Sequence, residues 1–469
     1  MTIDALFHTG EEENMRKRAG ALMLAAVLIL GGCGAKPPAV EQRDSKTETG
    51  TGKGVTEVIE PAALEEVTGK DTDEIWESYR QKLDENEITD SFRAGLDAFA
   101  YESAAQILQG AEENVNYSPL SLYYALAMAG AGADGKTFEE ISGLLGTKER
   151  EELAAQSGNI YRYLRYQQGF HEVYQEEYEP GLGEEKKPEI LIANSLWADG
   201  EMELNPDYVN QLTDQYYASI HRVSFAEDET WKEMGRWIKE KTNGVLEPEL
   251  TKDEETVLAL INTLYYYGSW KNKFPEEATK PDTFTRSDGS EVTADFMNMT
   301  VTGYPYREGD GYRASRINTG NNTSMVFVLP DEGRDVSELY ATPEKLKEAL
   351  NGEYETMEVN WKMPKFSFGS SMKLEDTLRK LGVGDMFEES ADFSYMTDSP
   401  VLVSSVIQET HIGVDESGVE GAAYTMMALA GCALIEETKV GDMILDRPFL
   451  FGIRSDEAGW LFIGVVETP

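Results

Sequence analysis

The order of its patterned segments constrains this chain most: helix-like stretches come early, strand-like runs come late, and no βαβ rhythm joins them. Phe92, Leu96, Phe99, Ile107 and Leu108 form an interrupted helical stripe over residues 88–110. Ser118-Pro119 then opens a helix, with Ser as cap and Pro at the first helical position. Leu122, Ala125, Leu126 and Ala129 give it a buried face, and Gly130, Gly132 and Gly135 end it. Residues 137–145, 156–166, 206–217, 231–241 and 373–381 also read as helices, and the acidic 168–187 as a surface loop. Strand-like runs fall at 190–197, 256–267, 325–329, 401–414, 443–445, 449–453 and 460–466. Asp288-Gly289 marks a hairpin. The expected class is α+β, with helices packed on large mixed or antiparallel sheets across residues 88–469.

The N-terminus reads as an address. Arg16, Lys17 and Arg18 precede an apolar run, and Leu30-Gly31-Gly32-Cys33 closes it. Positive head, apolar core and small residues before a cysteine make residues 15–33 a bacterial lipoprotein leader, with lipid on Cys33 and Met15 as the start. Residues 1–14 are then an upstream extension; the alternative is a short uncleaved membrane anchor. Residues 34–87, rich in Ser, Thr, Gly, Lys and Glu, read as a flexible tether, with Ile75, Trp76 and Tyr79 available for a helical contact near its end. The product would be a cell-envelope lipoprotein facing outside the cytoplasmic membrane, attached through Cys33.

The formal net charge of −44 argues against nucleic acid and anionic headgroups as partners. Two cysteines and four histidines leave little for a metal site, and no H-E-x-x-H occurs. With Cys33 lipidated, Cys432 is a free thiol and burial alone must stabilise the fold. Residues 130–137 (GAGADGKT) match the P-loop pattern but follow a helix, whose C-terminal dipole repels phosphate. No G-x-S-x-G elbow appears, His171, His221 and His411 have no evident nucleophile, and no carboxylate pair stands out. Neither an enzyme nor a cofactor is expected.

One stretch stands apart. After Asp415-Glu416-Ser417-Gly418-Val419-Glu420-Gly421, no charge occurs from Ala422 to Leu434, and no proline from Glu416 to Glu437. In an extended strand Val419, Gly421, Ala423, Thr425, Met427 and Leu429 share one face without charge. Glu420, Ala422, Tyr424, Met426 and Ala428 share the other. Such a ribbon is soluble when exposed and acceptable inside a sheet, since every residue can donate a ladder hydrogen bond.

This stretch resembles the hinge and reactive-centre loop of serpins. Asn116-Tyr117-Ser118-Pro119-Leu120-Ser121 resembles the start of that family's central helix. Asn262-Thr263-Leu264-Tyr265-Tyr266-Tyr267-Gly268-Ser269-Trp270 resembles its strand signature, and Leu445-Asp446-Arg447-Pro448-Phe449 its C-terminal one. The resemblance implies a monomeric suicide inhibitor: a protease cuts the loop, is held as an acyl-enzyme, and is dragged across as the loop inserts into the main sheet. The alternative within the family is a non-inhibitory surface binding protein. The hinge would be Glu416, Gly418, Val419, Glu420, Gly421, Ala422 and Ala423, with Gly418 letting it turn. Sheet opening would fall to Ser118, Ser121, Asn262, Gln408 and, where the loop first enters, Trp270. The family commonly has histidine where Gln408 stands, and alanine where Gly421 stands. Counting about seventeen positions from Glu416, as the family motif implies, puts the cut at Cys432–Ala433. Counting back from Pro448 lands near Glu437, so the window opens at Leu429 and closes at Glu437. The target implied is a serine or cysteine protease with a small or apolar primary pocket. A reactive thiol is the other role open to Cys432.

Overall fold

The computed structural model describes residues 22–32, 47–48, 54–178, 188–253, 255–320, 322–419 and 439–469. Its strands are β1 (Leu22–Gly32), β2 (Thr47–Glu48), β3 (Val55–Ile59), β4 (Val115–Tyr117), β5 (Glu189–Asp199), β6 (Ala218–Val223), β7 (Thr256–Ser269), β8 (Lys280–Thr285) and β9 (Glu291–Glu308). They continue as β10 (Tyr312–Thr319), β11 (Thr323–Pro330), β12 (Glu355–Pro364), β13 (Phe366–Lys373), β14 (Val401–Val414), β15 (Gly418–Val419), β16 (Val440–Ile444), β17 (Phe449–Ser455) and β18 (Gly459–Val466). The helices are α1 (Thr72–Glu85), α2 (Asp90–Leu108), α3 (Pro119–Gly132), α4 (Gly135–Leu144), α5 (Arg150–Tyr178), α6 (Pro206–Asp214), α7 (Asp228–Lys241), α8 (Pro343–Leu350) and α9 (Glu375–Lys380).

These form two nine-stranded sheets, as the α+β expectation requires. In the first, β13 pairs with β14, β1 and β15 lie between β14 and β7, and β5, β6, β3 and β2 follow. The second runs β16, β12, β9, β10, β11, β17, β18, β4, with β8 on β9. The spine of the first sheet is β7, whose uncharged residues are covered on both faces. Leu258, Leu260, Leu264 and Tyr266 enter the main core, while Ala259 and Ile261 pack in a second cluster with Trp197, Trp231 and Trp237. Helix α3 sits behind this sheet with every residue buried. Its start is set by sequence: the Ser118 hydroxyl accepts from the Ser121 amide, and Pro119 takes the first turn. Ser103 donates to Phe99 at 2.6 Å and receives the Tyr117 hydroxyl at 2.8 Å, which satisfies two polar groups in the core behind it.

Along these elements the structure departs from the sequence reading in three places. Residues 168–178, expected in a loop, continue α5. Glu172 is exposed, while buried Gln168 ties the helix to the next strand by donating to the Pro188 carbonyl at 3.0 Å. The segment expected as a flexible tether contains β3, which pairs with β6, and α1, which packs on α5. Trp76 and Tyr79 of α1 meet Phe170 of α5 at ring distances of 6.0 and 6.4 Å, so the proposed aromatic contact forms within a longer helix. The helix expected over 206–217 stops at Asp214, and Tyr217 turns the chain into β6 with φ 51°. With this segment still attached, Leu22–Gly32, expected as the apolar part of an export leader, is a strand of the first sheet. An uncharged apolar run suits a membrane and a sheet interior equally, so pattern alone does not separate them.

Candidate functional site

The site is the slot between β7 and β14. A new central strand needs hydrogen-bond partners on both sides, and this slot supplies them. The β1 strand fills it antiparallel to both neighbours, from Leu22↔Tyr266 to Gly31↔Thr256 along β7 and from Met23↔His411 to Gly32↔Val401 along β14. Directly above, Val419 of β15 pairs with Gly268 of β7 and Val414 of β14. The loop therefore already occupies the top of the slot.

Behind the middle of the slot lies a buried polar chain. Gln408 of β14 accepts from the Ser118 amide and donates to the Ser118 carbonyl, both at 3.1 Å. The Ser121 hydroxyl donates to Asn262 Oδ1 on β7. Asn262 Nδ2 donates to Asn194 Oδ1 on β5 at 2.7 Å, and Asn194 Nδ2 to the Tyr216 carbonyl at 2.6 Å. All of these side chains are buried, so each bond left unmade strands a desolvated group. The chain links β14, the start of α3, β7 and β5, and it contains no titratable group. Asn194 was missed from sequence, because its place depends on the register Asn194↔Asn262 and not on any local pattern.

The top of the slot is built differently. Buried Trp270 donates through Nε1 to the Asp415 carbonyl at 2.9 Å, and its amide donates to Ser417 at 3.0 Å. The Glu416 carboxylate receives Lys365 at 2.8 Å and the Thr279 hydroxyl at 2.7 Å. Burial opposes ionisation of Glu416, but those hydrogen bonds outweigh it and hold the carboxyl below its ordinary range. Burial pushes its neighbour Asp415 the other way, although the Ser417 and Gly418 amides donate to that carboxyl. Burial also lowers Lys273, to about 8. Gly418 has no left-handed φ, so the expected turning role is corrected. A Cβ there would stand 2.4 Å from the Gly268 carbonyl oxygen and 2.8 Å from Ser269 Cα, so its role is close approach of two backbones.

The structure thus gathers Ser118, Ser121, Asn262 and Gln408 in one cluster and Trp270, Glu416, Gly418 and Val419 in another. Glu420, Gly421, Ala422, Ala423, Leu429, Cys432, Ala433, Glu437 and Cys33 lie outside the described residues. The P-loop-like stretch joins two helices, α3 and α4. Arg150 donates to the Gly130 and Ala131 carbonyls at 2.8 and 3.0 Å, and Lys136 pairs with Asp385 at 3.0 Å and Glu140 at 3.2 Å. Capped carbonyls and an engaged lysine do not make a phosphate cradle.

A two-sheet fold with a loop hinge seated at the top of a central slot defines a class. The family profile described as Serpin (serine protease inhibitor) matches residues 94–469. Ipis-1 of Ixodes persulcatus is 31% identical over 76% of this chain and 92% of its own. Serpin-Z2A of Triticum aestivum is 29% identical over 79% of this chain and 94% of its own. Among solved structures, the thermophilic serpin Tengpin in its native state has a TM-score of 0.67 at 27% identity, covering 82% of this chain and 95% of that one. Arabidopsis AtSerpin1 in its native stressed conformation has a TM-score of 0.65 at 26% identity, covering 81% and 98%. The chain belongs to the serpin family, whose members are mostly protease inhibitors and not catalysts.

Proposed function

We infer that this serpin inhibits its target protease irreversibly, by letting its cut loop complete the slot between β7 and β14. The observation that carries this reading is a coincidence of register. Extending the pairs Val419↔Gly268 and Val419↔Val414 down the slot places Gly421 opposite Tyr266, the partner of Leu22, and Thr425 opposite Asn262 and Gln408, the partners of Ala26. The uncharged Gly421, Ala423, Thr425 and Met427 then stand level with Ile412, Thr410, Gln408 and Val406 of β14, all buried, whereas the alternate positions His411, Glu409 and Ile407 are only partly buried; β7 is buried on both faces. Glu420 and Tyr424 take the opposite face. Thr425 would bring a hydroxyl to the level of the polar chain.

The same register favours one end of the cut window. Where β1 ends, at Gly32, the extended loop has reached Gly431. A cut at Cys432–Ala433 leaves a ribbon that ends with the slot, whereas a cut at Glu437 adds an overhang containing Glu436. A Cys, Ala or Leu at the cut suits a serine protease, or a cysteine protease, with a small or apolar primary pocket. The sequence before Cys33 supports export and lipid attachment there, with a monomer tethered outside the cytoplasmic membrane.

Incubating the processed chain with a subtilisin- or elastase-like protease tests the inhibitory reading. A denaturant-resistant complex and a released peptide beginning at Ala433 are expected; clean digestion without a complex makes the protein a non-inhibitory serpin. Fatty-acid labelling that disappears in Cys33→Ser tests the anchor.

A further inference from the structure

The slot that the loop needs is already taken in the unprocessed chain. We propose that Leu22–Gly32 is an internal occupant of the slot: a chain that retains it is closed to loop insertion, and its removal arms the inhibitor. This rests on the inhibitory reading for its consequence, but the docking itself stands on separate observations. First, β1 pairs with both walls almost continuously, ten residues on β7 and ten on β14, with one irregularity on each side near its end. Second, leader and loop take the same register, since Ala26 and the extended position of Thr425 fall opposite the same Asn262 and Gln408. Two segments that need the same backbone donors and acceptors exclude one another. Third, both are uncharged and free of proline, the composition an interior strand requires. Fourth, occupancy leaves β15 in place, so the leader stops where the seated hinge begins.

The leader thus has two readings in one sequence: an apolar segment for a membrane during export, and a strand for the sheet when it stays attached. A chain that folds with its leader on would hold a complete sheet and cleave as a substrate. A chain beginning at Cys33 would keep the slot free for the loop. The family profile begins at residue 94, so the shortened chain retains the whole matched fold.

Three proteins test this: the full chain, the full chain with Val27→Asp, and the chain beginning at Cys33. Val27 pairs in register with Ile261 and Ile407, so the variant puts a charge into the leader at an apolar level of the slot and alters none of the inhibitor's own residues. Amide exchange along β7 and β14 reads docking, and denaturant-resistant complex with subtilisin reads its consequence. Slow exchange in the full chain, faster exchange in the other two, and about tenfold more complex from them are expected. Equal exchange in all three overturns the docking. Different exchange with equal complex overturns the arming. Different exchange with no complex from any chain leaves the leader in the slot and removes the inhibitory reading instead.

Discussion

The top and the middle of the slot are closed by opposite chemistry. At the top, the hinge is held by an ion pair, an indole and a close approach of backbones: Glu416 with Lys365, Trp270 with Asp415, and Gly418 against Gly268. In the middle, the polar chain from Gln408 to Asn194 is neutral and fully buried. The top is therefore adjustable by charge, and the middle only by breaking desolvated hydrogen bonds. A loop that enters from the top meets the weaker closure first. Exposed or half-exposed ion pairs contribute at most about 1 kcal/mol, whereas a buried group left unpaired costs about 1–3 kcal/mol.

The largest break in that comparison is steric. Gly418→Val puts carbon where the Gly268 carbonyl stands, so the hinge cannot seat. Complex formation should be lost while loop cleavage continues, which gel analysis of complex against cleaved chain would separate. Next comes the middle. Asn262→Ala removes the acceptor of Ser121 and the donor to Asn194, and the intact protein should lose about 2–3 kcal/mol in denaturant melts. Glu416→Gln at the top should lose less, about 1 kcal/mol or under.

The acid response sharpens the contrast further. The carboxyl of Glu416 is held below its ordinary value of 4.5, so its contribution is complete above that value and is lost as pH falls through the lowered one. The stability gap between wild type and Glu416→Gln should close in that window and stay constant above it. Gln408 cannot charge, so the polar chain adds no dependence of its own. Gln408→His should create one: protonation near the usual histidine value, about 6.5, would remove the acceptor that Ser118 needs. A melt of this variant that is flat from neutral to acid, relative to wild type, would break the comparison.

How much of this was legible before the fold was seen follows the range of each signal. The Ser118-Pro119 start of α3, the β7 run and the Asp288-Gly289 turn rest on neighbours in sequence, and each appears where its pattern lies. The strands β12 and β13 were not read, because their solvent-side residues dilute the apolar signal. Ser118, Ser121, Asn262 and Gln408 came through the family resemblance; their meeting depends on contacts up to 290 residues apart. Asn194 had no such guide. Residues 168–178 looked like a loop because charges mask a helix whose inner side is carried by few residues, Gln168 among them. The apolar run before Cys33 could not be assigned to membrane or sheet by periodicity, and the structure adds the second option.

The most direct measurement is the melting temperature of the chain beginning at Cys33, intact and after a single cut between Leu429 and Glu437. An eleven-residue strand bonded on both sides, at about 1 kcal/mol per bond and about 2 °C per kcal/mol, should raise it by about 20 °C or more. A cut chain that melts no higher than the intact one, with its ribbon still outside the sheet, would contradict insertion as the source of inhibition.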